Sequence, residues 1–516
     1  MSRSIVRSLL KWTGVAVLTA AAVGMSARSG ASNAAEMFDL VIAGGRVMDP
    51  QSGLDAVRSV GIRGGKIVAI SDGPLAGKQA IDAKGFVVAP GFIDLHEHGQ
   101  EPRNYQFQAH DGLTTSLELE AGTDDVDKWY AAREGKSLIN YGVSIGHIPV
   151  RNKVLTKTSS ENGLGGKASA EEMTARDAAA HREATPEERV QIKEALEQGF
   201  RSGALAEGMG INYTPGASHW EIVEAFRAAA KYSASVHVHL RYAGGKEPET
   251  GLSALEEVVA AAAATGAPLH VVHITSMGLK YTPQLIAMVE GARKSGLDVT
   301  TECYPYTAGS TYLQSAVFDP GWQEKLQISF HELQWADTGE RLTAETFEKY
   351  RKQGGIVVIH SIPEEAAHTA VADPIVMIAS DGMPITGAKV HPRGQGTFSR
   401  VLGHYVREEK ALDLMTALRK MTLMPAQRLE KRAPMFRDKG RIRVGADADI
   451  TVFDANHVID KATYENPLEY SEGIQFVLVN GVPVVKDGKL VDGVFPGRGA
   501  RAPLRNDLLS CRSALP

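Results

Sequence analysis

A chain of 516 residues is too long for one small domain, and 43% hydrophobic with 23% charged residues is the make-up of an ordinary soluble globular protein. Its net charge of -5 offers no basic excess for a nucleic-acid partner or an anionic membrane. Two cysteines, Cys303 and Cys511, with no CxxC pair exclude a thiolate zinc site and make a disulfide framework unnecessary, leaving a single Cys303–Cys511 bridge open.

Residues 1–35 read as an export signal. Arg3, Arg7 and Lys11 form a basic start, Val15 to Val23 a short apolar core, and Ser32-Asn33-Ala34 or Asn33-Ala34-Ala35 a small-residue cleavage site. That core is shorter than the roughly 20 residues of a spanning helix, so the expectation is a periplasmic or secreted protein, off the membrane once cleaved. Residues 36–90 look like the first part of a β domain: Leu40-Val41-Ile42, Val60-Gly61-Ile62 and Ile67-Val68-Ala69-Ile70 are short strands, with a turn at Gly64-Gly65. The same texture returns over 436–500, where Ile450-Thr451-Val452-Phe453 and Phe476-Val477-Leu478-Val479 are strand-like and Asn480-Gly481 makes a hairpin into Val482-Pro483-Val484-Val485. Residues 501–516 read as a tail.

Between them, residues 91–435 alternate short apolar runs with helical stretches, the rhythm of a βα barrel. Eight strands are predicted, at Phe92–Leu95, Thr114–Leu119, Val143–Ile148, Gly203–Met209, Val236–Leu240, Leu269–Ile274, Val299–Tyr304 and Ile375–Ser380. Helices open at Pro186 behind a Thr185 cap, and run over Ser253 to Ala264 and Pro283 to Lys294. Arg151 to Thr185 and Thr311 to Gly355 are longer than a minimal barrel needs, and loops of that length are usually lids or insertions.

Polar residues gather where a barrel keeps its chemistry, at the C-terminal strand ends. His96 and His98 follow the first strand, Glu118 and Glu120 end the second, His237 and His239 lie in the fifth, His273 ends the sixth, Glu302 is near the end of the seventh, and Asp381 follows the eighth. Side chains alternate along a strand, so each i, i+2 pair faces one way. Facing the barrel mouth, such a cluster is expensive without a cation. Imidazole with carboxylate suits zinc and admits manganese, iron or nickel. His237 reads equally well as a hydrogen-bonded barrel histidine, and Glu118 as a partner of a basic side chain.

Pro90-Gly91-Phe92-Ile93-Asp94-Leu95-His96-Glu97-His98 resembles the strand-1 signature of the amidohydrolase superfamily. Tyr304-Pro305-Tyr306-Thr307-Ala308-Gly309-Ser310, Ser380-Asp381-Gly382, the run from His391 to Phe398, Thr463-Tyr464-Glu465-Asn466-Pro467 and the run from Val479 to Val485 resemble blocks of its D-aminoacylase (N-acyl-D-amino-acid deacylase) family. The resemblance implies an α/β fold, a TIM-type (β/α)8 barrel with a small β-sandwich built from both chain ends. It implies zinc, as one or two divalent ions, with His96, His98, His239 and His273 as ligands. Glu120 stands where that family has a cysteine and is expected to bridge, with Glu118 in reserve; Thr275 stands where it tends to carry a lysine. Asp381 is the implied general base, and Arg393, Tyr304 and Ser310 the implied grip on a substrate carboxylate, with Arg241 a second candidate. The implied activity is hydrolysis of an N-acyl-D-amino acid, a small-molecule amide, by metal hydroxide. The alternatives are another small amide, such as a dipeptide or cyclic amide, on the same site, or a non-catalytic exported metal- or solute-binding protein. A homo-oligomer is left open.

Overall fold

Each of the eight apolar runs becomes a strand in the computed structural model, which describes residues 37–158, 170–387 and 389–504. The barrel strands are β1 (Phe92–Asp94), β2 (Leu113–Thr123), β3 (Asn140–Gly146), β4 (Glu207–Gly210), β5 (Val236–His239), β6 (Leu269–Val271), β7 (Val299–Cys303) and β8 (Val376–Ile378). They form one parallel sheet in sequential order. Just past their ends β8 and β1 are joined: Asp381 N donates to His96 O at 2.7 Å and His98 N to Gly382 O at 2.8 Å. The Asp94 carboxylate fastens the seam, accepting from His96 N at 3.0 Å and Ser380 N at 3.2 Å.

Register decides which side chains face the barrel axis. His237 pairs with Gly208 on one side and His270 on the other, and His270 pairs with Thr300, so this rung is polar. The intervening Val236, Val238 and Val271 face outward and pack with Leu196, Phe226 and Leu255 of the surrounding helices. The predicted helices are present: Pro186–Arg201, with Thr185 and Glu188 in a reciprocal capping box, then Gly251–Thr265 and Thr282–Lys294.

Both chain ends build a second, nine-stranded sheet. Its centre is Val87–Pro90, parallel to Phe38–Asp49 on one side and antiparallel to Ile450–Phe453 on the other. Ile42, Ile62, Val88, Ile450 and Phe476 share one core, so the sheet folds over itself as a small β domain. The Asn480-Gly481 turn is present, with φ of 50° and 80°.

Three expectations are corrected in detail. The stretch Arg151 to Thr185 is mainly helical, in His147–Thr156 and Ala170–His181, with residues 159–169 outside the described ones. Arg151 is fully buried there and pairs with Glu221 at 2.8 Å. The Thr311 to Gly355 insertion folds with its flanks into a three-stranded sheet, Gly309–Tyr312, Leu333–Trp335 and Ile356–Ile359, over its own core of Leu313, Phe318, Trp322, Trp335 and Phe347. The tail starts later than residue 501: Ala502 is buried and its N–H donates to Gly203 O at 3.0 Å. The export segment and Cys511 lie outside the described residues; Cys303 is fully buried. Among the described residues no helix is long and apolar enough to cross a membrane.

Candidate metal centre and substrate cleft

Glu120 stands at the middle of the centre. Its Oε2 lies 3.0 Å from His96 Nε2 and 3.1 Å from His98 Nε2. Its Oε1 lies 2.8 Å from His239 Nδ1 and 3.5 Å from His273 Nε2. Asp381 Oδ1 completes the first half, 3.4 Å from His96 Nε2 and 3.3 Å from His98 Nε2. Two donor groups result, His96–His98–Glu120–Asp381 and Glu120–His239–His273, sharing one carboxylate; within each, the donor atoms lie within 4.8 Å of one another. Glu118 sits outside both groups: its Oε2 is 2.6 Å from His98 Nδ1 and its Oε1 accepts from Ala121 N at 2.9 Å. His237 lies one rung deeper, 3.1 Å from Ser235 Oγ. His273 and Asp381 both hold left-handed backbone, φ 31° and 53°, of the sort that clusters at functional sites.

The charges call for a cation. Burial works against ionising His96, yet the charges of Asp381 and Glu120 outweigh it and raise its pKa well above the usual imidazole range. His98 behaves alike, with burial opposed chiefly by Glu118. Burial also works against ionising Asp381, but Arg393 and His96 pull it down to about 2. Glu118, Glu120, Glu302 and Asp381 thus crowd around four imidazoles with one guanidinium, Arg393. A divalent ion would offset that excess and leave the imidazoles as neutral nitrogen donors.

The centre opens into a cleft. Arg393 forms one wall, its Nη1 2.9 Å from Asp381 Oδ2 and its guanidinium 4.7 Å from the centroid of the Tyr304 ring. His391 steadies it, Nδ1 accepting from Arg393 N at 3.1 Å while Nε2 donates to Ala308 O at 2.9 Å. Ser310 also lines the cleft, but its hydroxyl donates to Val357 O at 3.0 Å and its carbonyl accepts from Arg393 Nη2 at 3.2 Å. Arg241 is a correction: both arms of its guanidinium hold Glu257, at 2.8 and 2.7 Å, and it does not line the cleft. Thr275 is buried away from it. The inserted sheet roofs the cleft with Thr311 and Ile359, and Met277, Val317 and Leu326 make an apolar side. Tyr213 was not foreseen. It follows β4, its ring centroid is 4.7 Å from that of His239, and its hydroxyl bonds Thr311 Oγ1 at 3.0 Å; only its place just past a strand end could have flagged it.

Residues 156–485 match the model of the amidohydrolase family. The chain belongs to that family. It is 31% identical over 481 residues to the N-acyl-D-glutamate deacylase of Alcaligenes xylosoxydans xylosoxydans, and 30% identical over 499 residues to the D-aminoacylase of the same organism. Each match covers 87% of this chain and 94% of the relative. The crystal structure of N-acyl-D-glutamate deacylase from Bordetella bronchiseptica, complexed with zinc and a phosphonate mimic of the tetrahedral intermediate, superposes with a TM-score of 0.74 at 27% identity, covering 90% of this chain and 100% of that one. The family resemblance read from the sequence and the barrel it implied are therefore confirmed, and this amidohydrolase is an enzyme of amide-bond hydrolysis.

Proposed function

We propose that this amidohydrolase removes the acyl group from N-acyl-D-amino acids, releasing a carboxylate and a free D-amino acid. The observation that carries the reading is the pairing of Arg393 with Asp381 at 2.9 Å, at the edge of the histidine cluster. In an N-acyl amino acid the amide carbon is three bonds from the carboxylate carbon, so a guanidinium holding the carboxylate sets the amide beside Asp381. The D series is supported by what the relatives are named for.

His96, His98, Glu120, His239 and His273 would hold one or two divalent ions, with zinc favoured by the donor set and by the relative solved with it. Such an ion supplies Lewis acidity to a carbonyl and acidifies water. Arg393, braced by His391 and flanked by Tyr304, binds and orients the carboxylate. Asp381, ionised at neutral pH with a pKa of about 2, takes a proton from the attacking water on Oδ1 and returns it to the leaving nitrogen, so that the C–N bond gains the elements of water. Among the described residues Arg393 is the only lysine or arginine at the cleft wall, while Met277, Val317 and Leu326 line one side. One carboxylate is therefore matched and an apolar side chain is favoured over an acidic one. The basic and apolar start of the chain supports export, and amino-terminal sequencing of the mature protein checks it.

The test compares kcat/KM for N-acetyl-D-leucine, N-acetyl-D-methionine and N-acetyl-D-glutamate with their L isomers, a dipeptide and a hydantoin. Turnover of the first two above all others is expected; activity only on L or cyclic substrates would overturn the reading. Asp381→Asn should abolish turnover with metal content retained, and an active variant removes Asp381 from its role.

A further inference from the structure

Most barrels of this type are filled by branched apolar side chains. Below this metal centre the filling includes Glu302 on β7 and His270 on β6, both sealed from solvent. Glu302 Oε1 is 2.7 Å from His96 Nδ1, and its Oε2 is 2.9 Å from His270 Nε2. His270 Nδ1 is 2.7 Å from Thr300 Oγ1, and Arg428 Nη1 donates to that same hydroxyl at 3.3 Å. At the opposite end of the barrel Asp298 grips Arg428 at 2.7 and 3.0 Å. The chain has one consistent sense. Arg428 donates to Thr300, Thr300 to His270, and His270 and His96 both donate to Glu302. None of Glu302, His270, Thr300 and Arg428 lines the cleft.

Packing alone does not account for this chain. Burying a carboxylate between two imidazoles carries a desolvation penalty of several kcal/mol, and well-packed apolar residues often serve stability equally well. What the carboxylate does specifically is fix the ring and tautomer of His96: with Nδ1–H donated to Glu302, Nε2 presents its lone pair toward His98, Glu120 and Asp381. The four histidines of the centre differ in this respect. His96 and His98 each have a carboxylate behind the outward nitrogen, Glu302 and Glu118. His273 Nδ1 has only the Ser276 hydroxyl at 3.0 Å, and His239 Nε2 has no hydrogen-bond partner. A carboxylate behind an imidazole makes it a stronger donor.

We propose that Glu302 is a positioning residue for His96, held in turn by His270 and the Thr300–Arg428–Asp298 chain, and that it sets the ion affinity of the half of the centre built on His96 and His98. The test uses the full chain, stripped by a chelator and titrated with Co2+, following the cobalt absorption bands and metal content per chain. Glu302→Gln keeps the shape but cannot accept from both histidines. It is expected to bind one equivalent about 10- to 100-fold more weakly, with an altered cobalt spectrum and the other equivalent unchanged. His270→Gln, which leaves Glu302 in place and loosens its anchor, is expected to weaken the same equivalent by less, and it decides the matter if Glu302→Gln does not fold. A folded variant that binds cobalt with wild-type affinity and spectrum overturns the proposal, as does a change confined to melting of the stripped protein. The titration contains no substrate, so its result is independent of which amide the enzyme cleaves; a wild-type chain that takes up no ion would overturn the centre itself.

Discussion

Gly208 decides where Glu120 can stand. A Cβ at this β4 position would lie 2.2 Å from the Glu120 carbonyl oxygen, so only glycine lets the end of β2 pass so close. Gly208→Ala is expected to displace Glu120 and lower metal content at least about tenfold under limiting ion, with the far-ultraviolet dichroism unchanged; full loading of a folded variant would contradict this. Its neighbour Glu207 faces outward, fully buried, with no hydrogen-bond partner for either oxygen, and burial pushes its pKa up to about 8. Unfolded, the group ionises near its ordinary value of 4.5. The folded state therefore holds an extra proton between those values, and stability falls as pH rises across that window. Glu207→Gln should raise the melting temperature at pH 8 more than at pH 4.5, and an equal shift at both would count against it. At this scale the sequence was readable where alternation does the work: His96 with His98 and Glu118 with Glu120 show their common direction in their spacing. Arg241 reads as a second candidate for the substrate carboxylate, but Glu257 on the next helix holds it. Glu302 gave no sign of its two histidines, because one follows β1 and the other lies on β6, and they meet only in the folded barrel.

Among the elements, the inserted sheet carries the roof of the cleft on a core separate from that of the barrel. Trp335 is its anchor, buried and stacked on Tyr350 with ring centroids 4.4 Å apart. Trp335→Ala removes about 3–5 kcal/mol of packing. The expected outcome is a several-fold rise in KM with the barrel still folded by circular dichroism, because Ser310, Thr311 and Ile359 are supplied by that sheet. An unchanged KM would mean that the roof does not touch the substrate. The helix Pro186–Arg201 was legible from its capping residues, whereas Ala170–His181 was not: alanines and charged side chains give it no apolar stripe to read. Strand ends moved by a few residues, as at the start of β4 and at the end of β2, which runs on to Thr123 past a break in register.

In the molecule as a whole, the donors to the centre come from β2, β5, and the segments following β1, β6 and β8, so an ion there ties together both sides of the barrel seam. Stripping the metal is expected to lower the melting temperature, and readdition at one hundred times Kd should restore about 2.7 kcal/mol; a melting point indifferent to chelation would argue that the ion is not part of the folded scaffold. The strand Val87–Pro90 has a consequence of another kind. It lies between Phe38–Asp49, made before it, and Ile450–Phe453, made only after the whole barrel. An emerging chain therefore exposes one edge of its first sheet until Ile450–Phe453 has been made. Completion of this sheet waits for the barrel between its two halves, and a chain cut short before Ile450 leaves an open β edge in search of a partner.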